Sequence, residues 1–209
     1  MLLSSNRELV NYLIRNGVLK SKHIIDAFLA IDRKNFIRPG HEFEAYGDYP
    51  LPIGEGQTIS QPWTVAFMLE LLDPQPKQKI LDVGFGSGWT TSLLAYIVGE
   101  EGKVYGIEII PSIFEFGKNN IAKYNFIDKK IVELKLGDGS KGWKEYAPFD
   151  RILVSAAAKD IPEKLIEQLA NNGILVIPDK NGIWKIVKID DKLEKEYYPG
   201  FIFVPLVEE

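Results

Sequence analysis

The sequence predicts an α/β fold: a mostly parallel sheet with helices on both faces and an antiparallel β-hairpin at its C-terminal edge. Three observations carry this. Short apolar runs alternate with stretches of helical spacing through the middle of the chain. One of those runs, Ile80, Leu81 and Val83, leads straight into a glycine-rich corner, Gly84-Phe85-Gly86-Ser87-Gly88. The end of the chain changes to two strands joined by short turns at Asn181-Gly182 and Asp190-Asp191. With 209 residues, 45% hydrophobic and 26% charged, the chain suits one well-buried domain. Its expected parts are an N-terminal helical layer over 1–45, a core over 46–180 and a terminal hairpin over 181–209.

Each element follows from a local pattern. Ser4 to Asn16 places Leu9, Tyr12 and Leu13 on one helical face, and Gly17 can end that helix. Lys22 to Ile31 repeats the spacing with Ile24, Ile25, Phe28 and Ile31, so the two helices form a layer over the sheet. Phe36 to Glu44, broken by Pro39-Gly40, reads as irregular chain. Asp48 to Pro62 is not explained by core building. It precedes a helix from Trp63 to Leu72 whose Val65, Met68, Leu69 and Leu72 face inward. Ser60 suits a cap of that helix, with Pro62 in the first turn; Thr58 and Ser60 equally suit presenting hydroxyls to a ligand, and the two readings are compatible.

After the glycine corner come a helix from Thr90 to Val98, a strand from Lys103 to Glu108, a helix from Pro111 to Tyr124 and a strand from Ile131 to Leu136. Asp150 to Ser155 is the next buried strand. A helix opening at Ile161-Pro162 runs to Leu169, stopped by Asn171-Asn172-Gly173, and Gly173 to Ile177 is the fifth strand. Ile183 to Ile189 and Tyr197 to Val204 make the hairpin, and the Lys and Glu run from Lys192 to Glu196 reads as a solvated turn and edge.

The glycine corner is where a ligand is expected. Residues without Cβ let the backbone approach a bound molecule, and the helix that follows points free N–H groups at it. A dinucleotide site needs G-x-G-x-x-G, whereas here the third glycine is Gly88 and bulky Trp89 follows. Glu108, twenty residues past Gly88 at a strand tip, is placed to accept from both hydroxyls of a ribose. Asp138, between Gly137 and Gly139, suits either an acceptor for an adenine amino group or a plain polar turn. Ser155 followed by Ala156-Ala157-Ala158 leaves a strand end bare, which makes room for a substrate or serves a tight turn.

Composition excludes several chemistries. The 25 basic and 29 acidic residues give a net charge of −4, with no electrostatic footprint for nucleic acid or an anionic membrane. There is no cysteine, hence no disulfide, thiolate metal site or cysteine nucleophile, and His23 and His41 alone do not make a histidine metal site. No run of eighteen apolar residues occurs and polar Ser4, Asn6, Arg7 and Glu8 come at once, so a soluble cytoplasmic protein is expected.

Two sets of residues carry a family resemblance. Gly84-x-Gly86-x-Gly88 after Asp82 resembles the first motif of S-adenosylmethionine-dependent methyltransferases. Pro52 to Pro62, Pro-Ile-Gly-Glu-Gly-Gln-Thr-Ile-Ser-Gln-Pro, resembles the signature that precedes this motif in protein-L-isoaspartate O-methyltransferases. The likeness continues through Asn35-Phe36, Gly137-Asp138-Gly139, Phe149-Asp150-Arg151-Ile152, Ala156-Ala157-Ala158 and Phe203-Val204-Pro205-Leu206. It implies a Rossmann-like class I methyltransferase fold, usually monomeric, that methylates the carboxylate of L-isoaspartyl residues in damaged proteins. The ester then closes to a succinimide with loss of methanol and returns part of the chain to normal aspartate. It further implies that Asp82, Gly84, Gly86, Ser87, Gly88, Glu108, Ile109, Asp138 and Gly139 hold S-adenosylmethionine. Gln57, Thr58, Ile59, Ser155, Ala156 and Ala157 would meet the substrate, and Ser60 would aim its carboxylate; no metal is implied. Phe85 and Trp89 depart from the pattern, where a small residue and often a tyrosine are expected. The rival readings are an RNA adenine methyltransferase, a non-catalytic nucleoside-binding module and a nicotinamide oxidoreductase.

Overall fold

The computed structural model describes residues 3–190 and 192–207. Two helices open the chain, α1 (Asn6–Arg15) and α2 (Lys22–Ala30). Ser5 caps the first, its side chain accepting from the Glu8 N–H. Leu9, Val10 and Leu13 of α1 join Ile24, Ala27 and Phe28 of α2 in one core with the helices that follow. The stretch expected to be irregular, Phe36 to Glu44, begins at the end of one short 3₁₀ turn, Arg33–Phe36, and closes on another, Glu42–Glu44.

The segment before the third helix is more ordered than expected. β1 (Leu51–Gly54) and β2 (Gln57–Ile59) pair antiparallel, Leu51 opposite Ile59 and Pro52 opposite Thr58. Glu55 and Gly56 turn between them with φ of 52° and 70°, the left-handed pair a tight hairpin requires. Helix α3 (Pro62–Leu72) follows with proline in its first turn as expected. Ser60 is not its cap. Gln61 holds that position but its side chain caps no backbone N–H, and the Trp63 N–H donates to Asp48 Oδ1 at 2.8 Å, so the cap comes from fifteen residues upstream.

The main sheet has β3 (Lys79–Val83), β4 (Lys103–Glu108), β5 (Val132–Leu136), β6 (Phe149–Val154), β7 (Leu169–Pro178), β8 (Gly182–Ile189) and β9 (Lys192–Pro199) in the order β5-β4-β3-β6-β7-β8-β9. The first five are parallel and the last two antiparallel. Connections from β3 run to β4 and β5 on one side, and β6 and β7 lie on the other. The strand order therefore reverses at β3, and such a switch point opens a crevice outside the carboxyl ends of the strands. Helices α4 (Trp89–Val98) and α5 (Pro111–Ala122) lie close to their predicted spans.

Two expectations are corrected. Helix α6 covers only Glu163–Glu167, and β7 begins at Leu169, so Asn171-Asn172-Gly173 lies inside the strand. The register moves from Phe149 opposite Leu169 to Arg151 opposite Ile174. This is a bulge, with Asn172 at φ 59° and Asn171 Oδ1 accepting from the Asp190 N–H at 2.7 Å. A turn-forming triplet has the same local chemistry at a helix stop and at a bulge, so the sequence alone does not separate the two. The last strand is Lys192–Pro199, so the charged run is the strand itself. As the outermost strand it uses charge to discourage pairing with another chain. The turn residue Asp191 lies outside the described residues.

Candidate active site

A cleft opens over the carboxyl ends of β3, β4 and β6, walled by the glycine corner, the β1–β2 hairpin, the Glu108–Ile110 segment and the end of the chain. Strand β3 is covered on both faces, Ile80 on one and Leu81 and Val83 on the other, and it ends directly beneath the corner. The corner itself needs glycine. At Gly88 φ is 83° and a Cβ would lie 2.6 Å from Ile121 Cγ1, while at Gly86 φ is 54° and a Cβ would point toward Ile53 across the cleft.

Glu108 sits at the tip of β4, 6% exposed. Its Oε2 accepts from the Gly86 N–H at 3.0 Å and its Oε1 from the N–H groups of Ile109 and Ile110 at 2.8 and 3.0 Å. Three amides thus fix the carboxylate and tie the glycine corner to the next loop, as charge-assisted bonds do. The oxygens keep further acceptor capacity toward the cleft, which Glu108 lines.

Ser60 and Thr58 line both this cleft and an adjoining groove. Among the described residues no hydrogen-bond partner engages Ser60 Oγ. The Ser60 carbonyl, by contrast, is held by a residue that sequence reasoning missed. Arg33 is fully buried and its guanidinium donates to the carbonyls of Ala45 at 2.7 Å, Tyr49 at 3.0 Å and Ser60 at 3.2 Å, 5.6 Å from the Trp89 ring. Burial lowers its pKa to about 10, with Asp48 opposing the shift, so it stays charged at neutral pH. Nothing in the sequence marks Arg33, because its partners are backbone carbonyls.

The structure brings Gln57, Thr58, Ile59, Ser60, Gly84, Gly86, Ser87, Glu108, Ile109, Gly139, Ser155 and Ala156 to the cleft wall. Asp82, Gly88, Asp138 and Ala157 lie next to residues of that wall rather than on it. Asp82 is fully buried beneath the corner, where Thr91 Oγ1 donates to its Oδ2 at 2.6 Å and its Oδ1 has no partner among the described residues. Desolvation raises its pKa to about 7, the Thr91 bond opposes this and Glu108 adds to it. Asp138 Oδ1 accepts from the Ser140 N–H and hydroxyl at 2.9 and 2.7 Å, capping a 3₁₀ turn. Ala157 pairs with the end of the chain. Its N–H donates to the Val204 carbonyl and its carbonyl accepts from the Leu206 N–H, each at 2.8 Å. This strap lays Val204, Leu206 and Val207 against the cleft, a role their sequence does not announce.

Neither departing ring plugs the cleft. Phe85 packs 5.5 Å from Phe114 into a hole left by Gly106 and Gly117, where a Cβ on Gly117 would stand 2.7 Å from the ring. Trp89 meets Phe28 edge to face at 5.4 Å and donates its Nε1–H to the Ile31 carbonyl. Each ring is anchored in the core and forms the cleft's back wall.

Comparisons with known proteins agree with this geometry. A family model described as protein-L-isoaspartate(D-aspartate) O-methyltransferase matches residues 4–209. A protein-L-isoaspartate O-methyltransferase of Methanopyrus kandleri is 41% identical over 210 residues, covering 98% of this chain and 92% of its relative. One from Pyrobaculum islandicum is 42% identical, covering 95% and 97%. The crystal structure of a Plasmodium falciparum protein described by the same activity, in complex with S-adenosyl-L-homocysteine, superposes with a TM-score of 0.89 at 26% identity over 99% of this chain and all of that one. The cofactor corner, the hydroxyl-bearing hairpin and the matched length together place the chain in the protein-L-isoaspartate(D-aspartate) O-methyltransferase family.

Proposed function

We propose that Ser60 aims the acceptor carboxylate of this S-adenosylmethionine-dependent repair methyltransferase, and that the glycine corner and Glu108 hold its methyl donor. The observation that carries the reading is Ser60 Oγ, without a partner among the described residues, at the junction of cleft and groove. Its backbone is fixed from behind by Arg33, so the hydroxyl is presented by a rigid support.

The residues fit the donor. Side-chain-free backbone at Gly84 and Gly86 admits close approach, and Glu108 offers acceptor capacity to a ribose diol. Small Ser155 and Ala156 leave the strand end open, and Gly139 with the Asp138 turn sits at the far wall. The bound donor supplies a sulfonium methyl that is already electrophilic. The acceptor oxygen bonds to the methyl carbon as the carbon–sulfur bond breaks, its electron pair remaining on sulfur. No proton moves. An isoaspartyl carboxyl, with a reference pKa of about 3.9, is anionic at neutral pH and needs no general base. Alignment is then the main task, and orientation can supply roughly 7–11 kcal/mol.

The proposal includes a monomer working in the cytoplasm, with protein rather than nucleic acid or membrane as partner; the acidic balance of 29 to 25 supports it. Radiolabelled methyl transfer to an isoaspartyl peptide, beside its aspartyl twin and bulk RNA, is the test. Label in the isoaspartyl peptide alone is expected, and label in RNA or in both peptides would overturn the reading.

A further inference from the structure

The groove beside Ser60 does not end there. It shares Thr58, Ser60, Ser155 and Val204 with the cofactor cleft, and through Gln61, Thr64 and Ile202 it continues into a second depression. Four aromatic rings form the floor of that depression. Trp63 and Phe67 stack 5.3 Å apart on one face of α3, Phe201 stacks on Phe67 at 5.1 Å and Tyr198 meets Phe67 edge to face at 5.4 Å. This explains why α3 is apolar on both faces. Val65, Met68, Leu69 and Leu72 are buried inward, while Trp63 and Phe67, a turn apart, face the other way and are only partly covered. Among the described residues no charged side chain lines either the groove or the dish. At its rim stands Ile202, 91% exposed.

We infer that the Trp63–Phe67–Phe201 dish is a subsite for an apolar or aromatic side chain flanking the isoaspartyl residue, making this enzyme prefer acceptors by their neighbouring sequence. The occupant is the substrate's own chain, because the depression is continuous with the place where the acceptor carboxylate must sit. A helix rises about 1.5 Å and an extended peptide about 3.3 Å per residue. The seven positions from Ser60 to Phe67 therefore put the dish roughly two to four peptide residues away. An exposed aromatic floor costs free energy in water that a bound side chain recovers, and uncharged walls penalise a charged one. The inference rests on the reading of Ser60 above.

The test is methyl transfer to isoaspartyl peptides carrying Phe, Ala, Lys or Glu at each of the four positions on either side of the isoaspartyl residue. At one offset, Phe is expected to raise kcat/KM about tenfold over Ala, through KM, with Lys and Glu below Ala. In Ile202→Glu and Phe67→Ala the Phe-to-Ala ratio should collapse toward one. Cofactor affinity in the same samples reports whether each variant is folded, and Ile202→Glu changes only an exposed side chain. Phe43→Ser, at a 94% exposed residue outside the groove, should keep the ratio. Equal kcat/KM for all peptides, or an unchanged ratio in a folded Ile202→Glu, overturns the subsite and leaves the activity standing. Failure to methylate any isoaspartyl peptide overturns the function itself.

Discussion

Asp82→Asn tests the electrostatics beneath the glycine corner. The wild-type carboxyl is fully buried, among the described residues has one hydrogen bond, from Thr91, and one oxygen without a partner, and its pKa is raised to about 7 from a reference of 3.8. The folded state thus holds the proton more tightly than the unfolded chain, so this group's contribution to stability falls as pH rises from about 4 to about 7 and is level beyond. At about 1.4 kcal/mol per pH unit the full penalty is on the order of 4 kcal/mol, of which somewhat under 2 is already present at pH 5. Asparagine keeps the shape and an acceptor for Thr91 without ionising. Its amide leaves donors unpaired at a cost of about 1–3 kcal/mol that does not vary with pH. The signature is therefore the slope. The variant's stability relative to wild type should improve by about 2–3 kcal/mol between pH 5 and pH 8. Urea unfolding followed by tryptophan fluorescence at several pH values measures this. A difference that stays flat over that range would show that Asp82 does not titrate there and refute the burial argument.

Other substitutions separate the roles of the site. Ser60→Ala removes a hydrogen bond to a charged acceptor, about 1.5–3 kcal/mol, so kcat should fall roughly 10- to 100-fold. Calorimetry should find donor affinity unchanged, and equal loss of both would assign Ser60 to the fold alone. Glu108→Ala frees the N–H groups of Gly86, Ile109 and Ile110 and removes the diol acceptor, so the donor's dissociation constant should rise at least about tenfold; an unchanged constant takes Glu108 out of the site. Gly88→Ala places a Cβ 2.6 Å from Ile121 at φ 83° and should lower stability by about 2 kcal/mol or more in thermal melts. Arg33→Lys cannot span three carbonyls, so KM for the isoaspartyl peptide should rise more than that for the donor.

The parallel strands and their helices were legible because they are buried on both sides, and a run such as Ile80-Leu81 has one reading. Glu108 was legible by type and distance from the glycines. What escaped depends on chain far away in sequence. Asp48 caps α3 in place of Ser60 because the hairpin from Leu51 to Ile59 folds back over the helix start. The Asn171-Asn172 bulge forms because β8 returns alongside and Asp190 donates to Asn171. Phe85 departs from the family pattern, and a one-dimensional pattern does not show where its ring goes. Gly106 and Gly117, each distant in sequence, supply the space it occupies. Arg33 and the strap at Val204–Leu206 act through backbone groups, which side-chain patterns do not reveal.

The distribution of charge follows from the reaction. Donor and acceptor begin with opposite charges and end neutral, so tight stabilisation of either charge would deepen the ground state and slow transfer. The glycine-corner side carries one carboxylate on the cleft wall, Glu108, already shared among three amides, and a second, Asp82, that burial biases toward its neutral form. The groove carries hydroxyls and, among the described residues, no charged lining; the Arg33 cation behind Ser60 is spent on carbonyls. A cationic side chain lining the groove would hold an isoaspartyl carboxylate more firmly and make it a poorer nucleophile. Thr58→Lys applies that change at an exposed position of β2. It should lower KM for isoaspartyl peptide while lowering kcat, and a rise in both kcat and affinity would contradict the view that weak, directional contacts suit this chemistry.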